Sequence, residues 1–103
     1  MTKESIRHDL SEIRYYYSQK TLFDKGNFKV VKSTIEDKIA RYAKAIESAP
    51  ARLYAVYIGL YVENNTQLSL SQKWGYSEGY IKILNRQLCE FLLRSLTNKP
   101  KEV

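Results

Sequence analysis

The chain has 103 residues, 44% of them hydrophobic and 13% aromatic, with nine tyrosines; this suits one domain with its own core and excludes a disordered tail or two domains. Seventeen basic residues against eleven acidic leave a net charge of +6, a bias toward polyanions, while a single cysteine, Cys89, and a single histidine, His8, exclude an internal disulfide and a zinc site built from that pair alone. The opening MTKESIRHDL lacks an apolar signal segment and no stretch approaches the roughly 20 apolar residues of a membrane helix, so a cytoplasmic protein without membrane contact or cofactor is expected.

In chain order, residues 4–23 place Ile6, Leu10, Ile13 and Tyr17 at spacings of four, three and four, one face of an α-helix. Gly26-Asn27 marks a turn within 24–27, and the short β-branched run Phe28-Lys29-Val30-Val31 fits more than one local structure. A second helix is expected from Ser33 to Ser48, with Ile35, Ile39, Tyr42 and Ile46 on one face and Ser33-x-x-Glu36 as its capping box. Pro50 ends that helix and suits the first turn of the next. Residues 50–63 are apolar on more than one face through Leu53, Val56, Tyr57, Leu60 and Tyr61, the pattern of a central, buried helix.

Asn64-Asn65 then forms a turn, and Thr66 caps a short helix from Gln67 to Trp74. Gly75 stops it in a left-handed conformation and Ser77 caps the last helix, Glu78 to Leu96, whose core face is Ile81, Leu84, Leu88, Phe91 or Leu92, and Leu96. The fold class is therefore all-α with about five helices in one domain over 1–97. It divides into an N-terminal helical pair in 1–49 and a C-terminal helix–turn–helix in 50–97, with a polar tail at 98–103.

Within the helix–turn–helix, Leu70, Trp74, Tyr76, Ile81 and Leu84 have the spacing of two steeply crossing helices that share one small core, with Tyr76 plugging the corner. Ser71 is small where the second helix approaches. The other side of the second helix, Ser77, Glu78, Gly79, Lys82, Ile83 and Arg86, then faces outward, with Tyr80 and Asn85 nearer its flanks. A recognition helix enters the major groove by its N-terminal part, where a cationic side chain meets guanine edges or phosphates. Lys82 and Arg86 lie one helical turn apart there, Gly79 lets the backbone sit close to the groove, and Lys73 and Gln67 are candidates for the phosphate backbone. Glu78 repels phosphate but accepts a hydrogen bond from a cytosine amine. A glycine-bent αα-corner also occurs in proteins that never touch DNA, so the apolar spacing by itself specifies packing and not binding.

Catalysis is not expected. His8 and Asp9 are adjacent and point about 100° apart on a helix, and Cys89 beside Leu88 reads as a small buried hydrophobe. No Gly-Lys-Ser/Thr follows the glycines, as a phosphate loop requires.

The run PARLYAVYIGLYVENNTQLSLSQKWGYSEGYIKILNRQLCEFLL resembles the C-terminal part of the ArpU/RinA-like transcriptional regulators of phages and integrated elements, a helix–turn–helix similar to region four of sigma factors. IRHDLSEIRYYYSQKTLF is similar to the N-terminal helix of that group, and GYSEGYIKILNRQL is the most specific piece. The resemblance implies a sequence-specific activator that binds double-stranded DNA and acts with host RNA polymerase. It places Ser77, Glu78, Gly79, Lys82 and Arg86 where such recognition helices touch DNA. The chain departs from the pattern in having Glu-Gly-Tyr after the turn, where related helices carry more Arg or Lys. A homodimer built by the N-terminal half is expected, since two recognition helices reach successive major grooves about 34 Å apart. Two alternatives stand beside this: a non-enzymatic helical adaptor for polymerase or another phage protein, and a small terminase-like packaging protein, whose usual order of DNA-binding and oligomerisation segments is the reverse of that here.

Overall fold

The computed structural model describes the backbone of residues 1–20 and 29–97 and the side chains of 1–20 and 34–97. It is all-α: α1 (Lys3–Ser18), α2 (Lys29–Ile46), α3 (Ala51–Tyr57, continuing as a π turn over Ile58–Val62), α4 (Gln67–Trp74) and α5 (Glu78–Thr97). The turn expected at 24–27 and the polar tail from Asn98 lie outside the described residues.

Thr2 starts α1 by accepting from Ser5 N–H at 3.1 Å while Ser5 Oγ accepts from Thr2 N–H at 2.9 Å, a reciprocal cap built with serine in the place usually held by Glu or Gln. The helix ends at Ser18, short of the expected Phe23, where Gln19 leaves helical geometry at φ −118° and ψ 26°. Residues 21–23 of the expected span lie outside the described ones. The second helix begins at Lys29, four residues before the expected Ser33. Ser33 is thus inside α2 and not at its start. Val30 and Val31 obscured this start because β-branched residues lower helix propensity only slightly, a preference that the rest of a long helix overrides.

Pro50 takes the N-cap position of α3 with φ −54° and ψ 146°, where its missing N–H costs nothing. The helix then widens into the π turn, closed by Glu63 N–H donating to Ile58 C=O at 2.8 Å. Gly59 is buried in that turn, and a Cβ there would meet Leu70 Cδ1 at 2.8 Å. The missing side chain is what lets α4 come this close. Asn64, at φ 63°, reverses the chain, and Asn65 fastens the reversal by donating from N–H and Nδ2 to Gly59 C=O at 3.0 and 2.9 Å. Thr66 caps α4 as expected, accepting from Ser69 N–H at 3.0 Å.

The core gathers Ile6, Leu10 and Ile13 of α1, Tyr42 and Ile46 of α2, Leu53, Val56, Tyr57 and Leu60 of α3 and its π turn, Leu70 of α4, and Ile81, Leu84, Leu88, Cys89 and Leu92 of α5. Each such large aliphatic side chain removed from water contributes about 1.5–3 kcal/mol. α5 packs on every other helix, so the centre expected for 50–63 is shared with the last helix. Tyr17 ends the α1 stripe as expected, partly buried against the core, and its neighbour Tyr16 is buried outside that cluster. The α1 stripe and, in α2, Ile39, Tyr42 and Ile46 are turned toward the intramolecular core.

Polar side chains join α1 to α2 along the edge of these stripes, with Tyr42 belonging to both. Tyr42 donates to Asp9 Oδ2 at 2.6 Å, Lys38 Nζ lies 3.0 Å from Asp9 Oδ1 and also bonds Glu12, and Tyr16 donates to Glu36 at 3.3 Å. Among the described residues no helix is long and apolar enough to cross a membrane.

Candidate nucleic-acid interface

α4 ends where Gly75 adopts φ 76° and ψ 26°, its N–H donating back to Ser71 C=O. This is the left-handed stop expected, and Tyr76 N–H also donates to Ser71 C=O, at 2.9 Å. Ser77 then caps α5 by accepting from Tyr80 N–H at 3.1 Å. Two helices are thereby joined by a turn of three residues, Gly75, Tyr76 and Ser77. Ser71, 3% exposed with its hydroxyl donating to Leu68 C=O at 2.6 Å, is the small buried residue expected at the crossing. Leu70, Ile81 and Leu84 form the shared apolar contact with Trp74 partly buried against it.

Tyr76 does not plug the corner. It is 48% exposed, its ring edge-on to Trp74 at 6.5 Å and to Tyr80 at 4.9 Å. The physical reason is the left-handed Gly75, which turns the chain so that the next side chain points out of the crossing, leaving Leu70 and Ile81 to fill it.

Ser77, Glu78, Gly79, Lys82, Ile83 and Arg86 are all exposed. Lys82 and Arg86 have no ion-pair partner among the described residues, and Ile83 presents an apolar side chain 41% open to solvent beside them. No side chain would obstruct a surface approaching Gly79, where an added Cβ would meet only Ser77 Oγ, at 4.0 Å. Lys73 is exposed but engaged, donating to Asn65 Oδ1 at 2.8 Å. Gln67 and Glu78 line one open cleft of about 310 Å³ together with Arg14, Tyr61 and Asn65. Glu78 also lies in the first turn of α5, where its charge suits the positive helix end.

Two residues outside the expected set belong to this region. Arg52, in the first turn of α3, donates from Nη1 to Tyr80 Oη at 2.9 Å, which brings a cation to the flank of α5 from 28 residues away. Arg14 of α1 donates from Nη2 to Asn64 C=O at 3.1 Å and Asn65 C=O at 3.3 Å, holding the turn before α4, while its Nε is buried without a partner among the described residues. Nothing in their local sequence marks either one, because each acts through a contact distant along the chain.

Elsewhere the chemistry is confined. Burial pushes the Cys89 thiol up, against the opposing effect of Arg7, so the sulfur stays protonated and un-nucleophilic. The ligand atoms of His8, Asp9 and Glu12 lie within 4.8 Å of one another. Lys38 already lies against both carboxylates, so a metal ion would have to displace an ammonium.

Protein-family models, curated proteins and solved structures were all compared with the chain, and none matches it.

Proposed function

We propose that the protein is a sequence-specific binder of double-stranded DNA, a transcriptional regulator of the ArpU/RinA-like kind acting as an activator in a phage or mobile element. The N-terminal part of α5 enters the major groove. One observation carries the reading: the helix that follows a three-residue turn exposes Lys82 and Arg86 one turn apart, neither with an ion-pair partner among the described residues, around the apolar Ile83 and the bare Gly79. Cations held without counter-ions on a groove-sized helix suit phosphates and guanine edges, and an apolar side chain between them suits a thymine methyl. The net charge of +6 adds long-range attraction to a polyanion.

Selection from a random duplex pool tests the proposal. Enrichment of a defined motif is expected, with a log–log salt slope of about −3 to −4.5 for three to five phosphate contacts. A pool without enrichment, together with salt-independent binding, contradicts it.

The alternative is a helical adaptor for polymerase or another phage protein, and exposed Tyr15, Tyr54 and Leu68, at 57%, 44% and 51%, are the observation in its favour. The homodimer expected of the N-terminal half would also have to use such exposed residues, because Ile6, Leu10, Ile13 and Tyr17 of α1 and Ile39, Tyr42 and Ile46 of α2 face the core. Sedimentation at high micromolar concentration separates monomer from dimer.

A further inference from the structure

Arg52 is an exposed cation in an unfavourable place. It sits in the first turn of α3, where the helix end is itself positive and no acidic residue is present to offset it. Among the described residues it pairs with no carboxylate, and its partner is the neutral phenol of Tyr80. Neither helix stability nor an ion pair therefore accounts for a guanidinium here.

The phenol gives it a defined position. Tyr80 is half-buried against the core, and its ring packs edge-on to Tyr76, so Arg52 Nη1 is held 2.9 Å from an anchored oxygen. At about 100° per residue, Tyr80 lies roughly 60° around α5 from Ile83, at the Ile83 edge of the exposed face, and about 120° from Arg86 and about 160° from Lys82, so a cation held there stands apart from those two. One N–H of the guanidinium is used by the phenol and the others remain, in the planar fork that matches two phosphate oxygens. Having accepted from Arg52, Tyr80 Oη keeps its own proton to donate.

We propose that Arg52, positioned by Tyr80, is a phosphate contact that clamps the DNA backbone alongside α5. The inference rests on the DNA-binding reading above and adds to it a second helix, α3, as part of the interface. Such a contact strengthens binding to all sequences alike and carries no base preference.

The test is the salt dependence of binding to a fluorescent duplex of random sequence, for the parent, Arg52→Ala, Arg52→Gln, Arg52→Lys and Tyr80→Phe, each checked for parental helicity by circular dichroism. Arg52→Ala and Arg52→Gln are expected to make the log–log slope shallower by about 0.9, the value of one phosphate contact, and Arg52→Lys to keep it. Tyr80→Phe is expected to weaken binding in the parent and to add nothing in the Arg52→Ala background. A parental slope in both neutral variants, while Lys82→Ala makes the slope shallower, overturns the Arg52 contact and leaves DNA binding standing. An additive effect of Tyr80→Phe overturns the positioning by Tyr80. No salt-dependent binding by the parent overturns both the clamp and the DNA reading beneath it.

Discussion

Tyr61, in the π turn of α3, donates its phenolic proton to Asn85 Oδ1 on α5 at 2.5 Å. The bond fixes the end of α3 against the helix that carries Lys82 and Arg86, and burial of the phenol, with Cys89 adding to the effect, pushes the Tyr61 pKa up to about 12. A group whose pKa is raised on folding stabilises the fold in full below its ordinary value of 10.0 and loses that contribution as pH rises through the raised one. Tyr61→Phe leaves Asn85 without this donor and should cost about 1–2 kcal/mol by urea denaturation. It should also remove a late-titrating phenol from the alkaline absorbance titration. A variant as stable as the parent would show the bond to be dispensable.

Gly59 is where α4 comes closest to the π turn, since a Cβ would fall 2.8 Å from Leu70 Cδ1 and 3.1 Å from Cδ2. Leu70 is 2% exposed and has little room to withdraw. Gly59→Ala should destabilise the protein by about 1–3 kcal/mol through overpacking. Gly59→Ala combined with Leu70→Val should recover part of that loss; the absence of any recovery would locate the strain elsewhere.

At Gly75 the situation is reversed. A Cβ has open space, with nothing within 4 Å, but the backbone is left-handed at φ 76°. Gly75→Ala should therefore cost about 1–2 kcal/mol in conformational strain, and Gly75→Asn less, since asparagine visits this region more readily. Equal losses for the two variants in thermal denaturation would point to crowding and contradict the open geometry.

Asp9 links acidity to the pairing of α1 with α2. Burial acts to raise its pKa, but the hydrogen bonds from Tyr42 and Lys38, with the charges of Lys38 and Arg41, outweigh it and hold the carboxyl below 3.8. The resulting stabilisation is present in full above that ordinary value and is lost as pH falls through the lower folded one. Lys38 is shifted upward, chiefly by its bond to Glu12 and against its burial, so its share persists until pH rises past 10.5. Asp9→Asn should lower the melting temperature at neutral pH, costing about 1.5–3 kcal/mol for hydrogen bonds to a charged group. The gap from the parent should close on acidification; a gap of constant size would mean that the aspartate charge is not what joins the helices.

Most of the fold is legible where one residue acts within its own turn. Pro50, Thr66, Gly75 and Ser77 punctuate the chain through φ preference or a side-chain oxygen, and all four do so in the structure. The face of α5 follows from helical period, which separates Ile81, Leu84 and Leu88 from Lys82, Ile83 and Arg86. Features that depend on a distant partner are not legible this way: the start of α2 at Lys29, the π turn around buried Gly59, and Arg52 reaching Tyr80. Tyr76 shows the limit of spacing arguments, since its offset fits the crossing while the turn directs it outward.

The central claim is that α5 meets DNA through the face bearing Lys82 and Arg86. Duplex titration of the Lys82→Ala/Arg86→Ala variant, with helicity checked by circular dichroism, tests it most directly. Unchanged helicity with affinity reduced by at least about tenfold per contact is the predicted result, and affinity equal to the parent's would contradict the assigned face.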